Sequence, residues 1–183
     1  MKNYIFILAA FFFSFTITIY AQKTKLKVGD RIPHFSLLDQ NGKEFNSTDY
    51  LGKKSIVLFF YPKVFAPRCT AQACSFRDNK TNFNALDAIV VGINPANIVN
   101  QSKFASENEL SYPVLSDRNN RVKKMFGVPS LFLSSKPKRY TFIIDKNGII
   151  QKIYYNKKNI EAHIDVALAT LYETNQNEFS VKK

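Results

Sequence analysis

Between Ser55 and Tyr61 the chain reads Ile-Val-Leu-Phe-Phe, with no polar position to mark a solvent face. Such a run predicts a strand covered on both sides, the pattern of a parallel or mixed sheet. Residues 88–93 have the same character. Earlier in the chain, residues 35–38 and 43–46 flank Asn41-Gly42, a strong hairpin signal, and Ser47-Thr48-Asp49 offers caps for a short helical turn. Residues 97–109 read as a helix, 113–115 as a short strand and 119–126 as a shorter helix. Two further strands, 141–144 and 149–154, are predicted around the turn Asp145-Lys146-Asn147-Gly148. Towards the end, Ile160, Ile164, Ala167, Leu168, Leu171 and Tyr172 recur on one helical face with Asn159 as a cap. That stripe is core packing and not a cofactor box. Residues 22–27 read as a flexible lead and 173–183 as a polar, frayed tail. Strands alternating with helices predict an α/β layer sandwich, a mixed central sheet flanked by helices.

The chemistry lies just after the first apolar run. A loop, Pro62-Lys63-Val64-Phe65-Ala66-Pro67-Arg68, leads into Cys69-Thr70-Ala71-Gln72-Ala73-Cys74, a segment rich in good helix formers. Cys69 is thereby predicted close to a helix N-terminus, where unpaired N–H groups and the helix dipole favour an anion. A thiolate is stabilised there, which makes a nucleophile of the cysteine. Cys69 and Cys74 are the only cysteines of the chain. Five positions apart on an intact helix, their Cα atoms would be roughly 8–9 Å apart, whereas a disulfide requires about 4.4–6.8 Å. A pair that bridges only when the first turns unwind fits a redox cycle. Two unrelated buried cysteines, or a plain structural bridge, are the alternatives.

These residues resemble the peroxiredoxins, specifically the branch known as bacterioferritin comigratory protein or peroxiredoxin Q. That branch carries a peroxidatic cysteine in a Pro-x-x-x-Thr-x-x-Cys motif and a resolving cysteine five residues on. Pro62 and Cys69 hold the ends of the motif and Cys74 the resolving position. The likeness extends to Val28 through Gly42, Phe76-Arg77-Asp78, Tyr112 through Asp117, Phe126-Gly127-Val128-Pro129 and Arg139 through Asp145, and covers roughly residues 26–172. It implies a thioredoxin-like fold with an N-terminal β-hairpin, and residues 22–183 as one peroxiredoxin domain. It further implies a thiol peroxidase acting on hydrogen peroxide and organic hydroperoxides. Cys69 would form a sulfenic acid, condense with Cys74 to a disulfide, and be recycled by a thioredoxin-like donor. Arg139 matches the family's active-site arginine, a fixed cation that stabilises the thiolate and polarises the peroxide. Arg77 and Asp78 are expected to be a structural pair, and Gln72, on the first helical turn, is placed to hold the loop. A monomer is the expectation from the family.

Two positions depart from the motif. Its threonine, expected to hydrogen-bond the peroxide and the sulfur, is Ala66 here, and its usual glycine is Arg68. A lost hydrogen bond to a charged group costs on the order of 1.5–3 kcal/mol, or roughly ten- to a hundredfold in rate. A guanidinium beside Cys69 either stabilises the thiolate further or faces water. An exported redox sensor, or a binding remnant with weak peroxidase activity, is therefore the alternative function. An exported disulfide reductase is disfavoured, because four residues and not two separate the cysteines.

Composition adds a compartment and removes other classes. Lys2 precedes an apolar run from Tyr4 to Tyr20 and then Ala21-Gln22, the layout of a signal peptide at 1–21 cleaved after Ala21. An uncleaved membrane anchor is the alternative. The expected location is exported, periplasmic or extracellular, where a peroxidase needs a dedicated electron source. The net charge is +12 for the 183 residues, and +11 without Lys2. The lysines are scattered and no nucleic-acid motif accompanies them, so a solvated basic surface is expected rather than a nucleic-acid partner. With only His34 and His163, both ordinary in context, and no C-x-x-C, neither a metal site nor a cofactor is expected.

Overall fold

Alternate side chains of strand β3 (Ser55–Phe60) enter two different cores, and this is why its sequence has no polar side. Val57, Phe59 and the following Tyr61 belong to one core, Ile56, Leu58 and Phe60 to the other. In the computed structural model, which describes residues 26–181, β3 is the middle of a five-stranded sheet. Parallel neighbours on one side are β4 (Ala88–Asn94) and then β5 (Val114–Ser116). On the other side β6 (Tyr140–Ile144) runs antiparallel to β3, and β7 (Ile150–Tyr155) antiparallel to β6. The predicted leader at 1–21 and most of the lead that follows it lie outside the described residues. Among the described residues no helix is long and apolar enough to cross a membrane.

Helices α1 (Pro67–Asp78), α2 (Lys80–Ala85), α3 (Ile98–Glu107) and α5 (Glu161–Val181) build the first core through Phe76, Phe83, Phe104 and Leu171. The second core is closed by α4 (Arg121–Met125) and by the hairpin of β1 (Ser36–Leu38) and β2 (Glu44–Asn46), through Val122, Phe126, Phe35 and Phe45. Aromatic rings dominate both: Phe59 stacks on Phe76 at 4.5 Å, and Phe126 meets Phe142 edge-on at 5.2 Å. Each such pair contributes about 0.5–1.5 kcal/mol beyond its burial. The predicted hairpin turn is present. Asp39 Oδ1 accepts from the N–H groups of Asn41 and Lys43, and Gly42 takes φ +74°, which a glycine adopts without a Cβ clash.

The thioredoxin-like α/β layering with its N-terminal hairpin is as expected, and two elements differ from the expected pattern. Helix α2 was not expected; its single buried residue, Phe83, leaves no periodicity to read. The polar tail expected to fray continues α5 to Val181. Asn175 ties it down by donating to the Leu86 carbonyl at 3.2 Å, and Asn159 caps the helix start by accepting from the Ala162 N–H.

The strand register positions the site. Phe60 lies opposite Tyr140 in the antiparallel pair, so Arg139, the residue before β6, is placed beside the loop that leaves β3. On the other side of β3, Gly92 faces Phe59. A Cβ at Gly92 would lie 2.9 Å from Phe59 Cζ and 3.2 Å from Val114 Cγ1, and both neighbours are fully buried. Gly92→Ala is expected to destabilise the fold by about 1–3 kcal/mol through overpacking. Urea denaturation checks this, and an unchanged midpoint would show that the Phe59 ring has room to move.

Candidate active site

Strand β3 ends in Tyr61-Pro62, and the chain turns through a loop in which Phe65 takes a left-handed φ of +60°. For a residue with a Cβ this conformation costs of order 1 kcal/mol and persists only where packing holds it. Here the Phe65 ring sits edge-on to the buried Phe104 at 5.5 Å. Ala66 is the N-cap of α1 and makes no side-chain hydrogen bond to the helix, because it has no acceptor to offer. Pro67 occupies the first helical position, where its missing N–H costs nothing. Cys69 follows in the first turn, the helix start at which it was expected, and is buried.

Arg139 reaches this turn from the neighbouring strand. Its Nη2 donates to Cys69 Sγ at 3.4 Å and its Nη1 to Gln72 Oε1. All three side chains are buried. The motif context singled out Cys69, Pro62 and Arg139, and in the structure Arg139 links the other two. It donates to Cys69, and with Pro62 it lines an adjacent pocket of about 140 Å³ together with Arg68, Leu131, Lys138, Tyr155 and Lys157. Gln72 does not hold the loop; it accepts the second arm of the Arg139 guanidinium. Arg68 is exposed at the pocket wall.

Cys74 faces elsewhere. It is half-buried with a free thiol, and its Sγ donates to Asn108 Oδ1 at 3.7 Å. Arg77 is the structural residue expected. It pairs with Asp78 at 2.7 Å and donates to the Asn108 carbonyl at 2.7 Å, fastening α1 to the end of α3. With α1 helical through both cysteines, the spacing keeps the two sulfurs from bonding.

Three buried polar groups around the site were not singled out by the sequence. Tyr61 donates to Gln101 Oε1 at 2.9 Å; burial holds its phenol far above the ordinary tyrosine range, and the nearby Cys69 adds to this. Tyr112 donates to the Ala73 carbonyl at 2.8 Å, and burial likewise raises its phenol. His163 read as an ordinary helix residue, yet it is fully buried. The Thr141 hydroxyl is 2.8 Å from its Nδ1, and its Nε2 is 3.0 Å from the Asn156 carbonyl. A carbonyl only accepts, so Nε2 carries the proton and Nδ1 accepts from Thr141. Desolvation, and to a lesser degree the positive Arg139, lower His163 to about 4. A single polar residue at the end of an apolar strand, as at Tyr61 and Thr141, is the one local hint of these groups.

The chain is similar to known proteins over most of its length. The AhpC/TSA family model matches residues 28–153. Peroxiredoxin Q of Arabidopsis thaliana, a chloroplastic protein, is 43% identical over 147 residues, covering 80% of this chain and 68% of its own. Peroxiredoxin Q of Sedum lineare is 40% identical over 154 residues, covering 84% and 81%. Among solved structures, the peroxidoxin BcpB of Mycobacterium tuberculosis superposes with a TM-score of 0.76 at 38% identity, over 81% of this chain and 97% of that one. A Xylella fastidiosa PrxQ mutant gives the same TM-score at 21% identity, a likeness of fold. The chain belongs to the AhpC/TSA family and, within it, to the peroxiredoxin Q and bacterioferritin comigratory protein branch. As such it is a thiol peroxidase, an oxidoreductase that takes a peroxide as substrate and a thiol as reductant.

The neutral state of His163 gives a testable pH dependence. Its pKa is about 4 folded and about 6.5 unfolded, so acid favours the unfolded chain. Stability contributed by the neutral ring is complete above pH 6.5, is lost as pH falls from there to 4, and amounts to about 3 kcal/mol. Urea midpoints across that window are expected to fall more steeply for the wild type than for His163→Gln. Parallel pH profiles would show that other groups carry the acid sensitivity.

Proposed function

We propose that Cys69 is the peroxidatic cysteine, Cys74 the resolving cysteine, Arg139 the cation that stabilises thiolate and peroxide, and Pro62 the residue that shapes the loop over them. The observation that carries this reading is the buried Arg139 guanidinium 3.4 Å from Cys69 Sγ in the first turn of α1. A guanidinium cannot lose its proton, so it favours the charged form of whatever it faces. The Cys69 thiolate attacks the distal peroxide oxygen, the O–O bond breaks, and the departing alkoxide or hydroxide takes a proton from solvent. Cys69 is left as a sulfenic acid. The start of α1 unwinds, the Cys74 thiolate attacks the Cys69 sulfur, a disulfide forms and hydroxide leaves. A thioredoxin-like dithiol then supplies two electrons and returns both thiols.

Leu131, Tyr155 and Pro62 on the pocket wall give an organic substituent a partly apolar place to rest, so organic hydroperoxides as well as hydrogen peroxide fit the site. The leader-like residues 1–21 make the working chain residues 22–183, exported to a periplasmic or extracellular space, and it works as a monomer. The uncapped Ala66 favours a second reading, in which peroxide turnover is slow and the chain senses oxidants.

Intact mass and rapid kinetics on the reduced protein, after one equivalent of hydrogen peroxide, test the cycle. A loss of two hydrogens with a peptide linking Cys69 to Cys74 is expected. Cys69→Ser is expected to abolish peroxide turnover, and full activity in that variant would overturn the assignment. In Cys74→Ser a sulfenic acid should persist, one oxygen heavier than the reduced chain.

Position 66 is tested separately. Ala66→Thr restores a hydroxyl at the N-cap and is expected to raise the rate constant for peroxide by roughly ten- to a hundredfold. An unchanged rate in a stopped-flow assay would mean that other groups already orient the peroxide.

A further inference from the structure

Beside the pocket the chain forms a tight hairpin, with Ser130 bridged to Pro137 and the Leu131 N–H donating to the Lys136 carbonyl at 2.9 Å. Its tip carries Phe132 and Leu133, which are 90% and 91% exposed, and Leu133 takes a left-handed φ of +53°. The tip is held out rather than collapsed. Lys123, itself buried, props it from below by donating to Ser130 Oγ and to the Ser135 carbonyl. Two adjacent large apolar side chains projecting into water, on a loop built to keep them there, call for an apolar environment outside the protein.

The charge around the tip states what kind. Residues of three segments line the pocket: Pro62 and Arg68, then Leu131, Lys138 and Arg139, then Tyr155 and Lys157. The stretches around them run over 62–68, 129–138 and 155–160, the last ending just before Glu161. They carry Lys63, Arg68, Lys136, Lys138, Lys157 and Lys158 and not one aspartate or glutamate. A protruding apolar tip beside a pocket lined by Arg68, Lys138, Arg139 and Lys157 suits an anionic bilayer, which supplies an apolar interior below a negative surface and requires no matching pocket. The apolar run from Tyr4 to Tyr20, whether leader or anchor, brings the chain to a membrane in the first place. We infer that the Phe132-Leu133 tip and the cations near it dock this end of the molecule onto an anionic lipid bilayer. The pocket lined by Pro62, Arg68 and Arg139 then opens at the headgroup layer. This rests on the tip, the cations near it and the N-terminal apolar run, and is independent of the roles assigned to the cysteines.

The chain has no tryptophan, so Phe132→Trp gives a local depth reporter that an inserted N-terminal segment does not mimic. Val28→Trp is the control: it is exposed beside Ile150, at the end of the sheet away from Tyr140 and Tyr155. With full-length protein and phosphatidylcholine–phosphatidylglycerol vesicles, F132W is expected to shift to the blue and to be quenched by brominated acyl chains. V28W should remain exposed to water. The F132W response should weaken by about tenfold in apparent affinity on pure phosphatidylcholine, at high salt, or when Leu133→Ser is added. Absence of a shift on anionic vesicles would overturn the proposal. So would equal burial of both reporters, which would mean unoriented adsorption. An F132W shift produced by a reductant protein but not by vesicles would also overturn it and make the tip a protein-docking surface.

Discussion

A guanidinium that is almost wholly buried must be surrounded by groups that accept its hydrogens, because it cannot shed its charge and desolvation is costly. For Arg139 two of those groups, Cys69 Sγ and Gln72 Oε1, come from one face of one helical turn, three positions apart. The first turn of α1 and the position of Arg139 are therefore mutually dependent. The antiparallel register of β3 and β6 delivers the cation, the loop after β3 delivers the helix start, and each is orphaned without the other. The neutrality of His163 belongs to the same constraint. A second positive charge in this part of the core would oppose the guanidinium, and desolvation keeps the ring uncharged.

Much of this was legible in the chain. The unbroken apolar runs around Val57 and Val90 identified strands covered on both faces, and Asn41-Gly42 located the hairpin. Cys69 was readable from its place at a helix start, whereas Pro62 and Arg139 entered only through the resemblance to the peroxiredoxins. What was not legible depends on contacts remote in sequence. Nothing near Gln72 indicates that its partner lies 67 positions away, nor that Tyr61 would find Gln101 or His163 find Thr141. Helix α2 rests on the burial of Phe83 alone, and the tail is helical because Asn175 finds the Leu86 carbonyl. Local pattern carries neither fact.

Ala66 changes the balance at the helix start as well as the chemistry expected of the motif. A side-chain N-cap is worth about 1 kcal/mol, and α1 has none. The turn that carries Cys69 is then held mainly by the Arg139 contacts and by the burial of Cys69 and Gln72. In the proposed cycle it is this turn that opens, so the lost hydroxyl both removes a group from the peroxide site and eases the movement that follows oxidation.

The two halves of α1 are fastened unequally. Beyond Gln72 the helix is tied by Tyr112 to the Ala73 carbonyl, by Arg77 to the Asn108 carbonyl and by the buried ring of Phe76. In the proposed cycle the half that carries Cys74 would be a fixed post, and the oxidised Cys69 the part that travels to it. Such a journey would vacate the space beneath Arg139 and raise a new contour beside α3. Reduced and oxidised molecules would then present different outlines, and a reducing partner could tell a spent enzyme from a ready one by shape before any sulfur is exchanged.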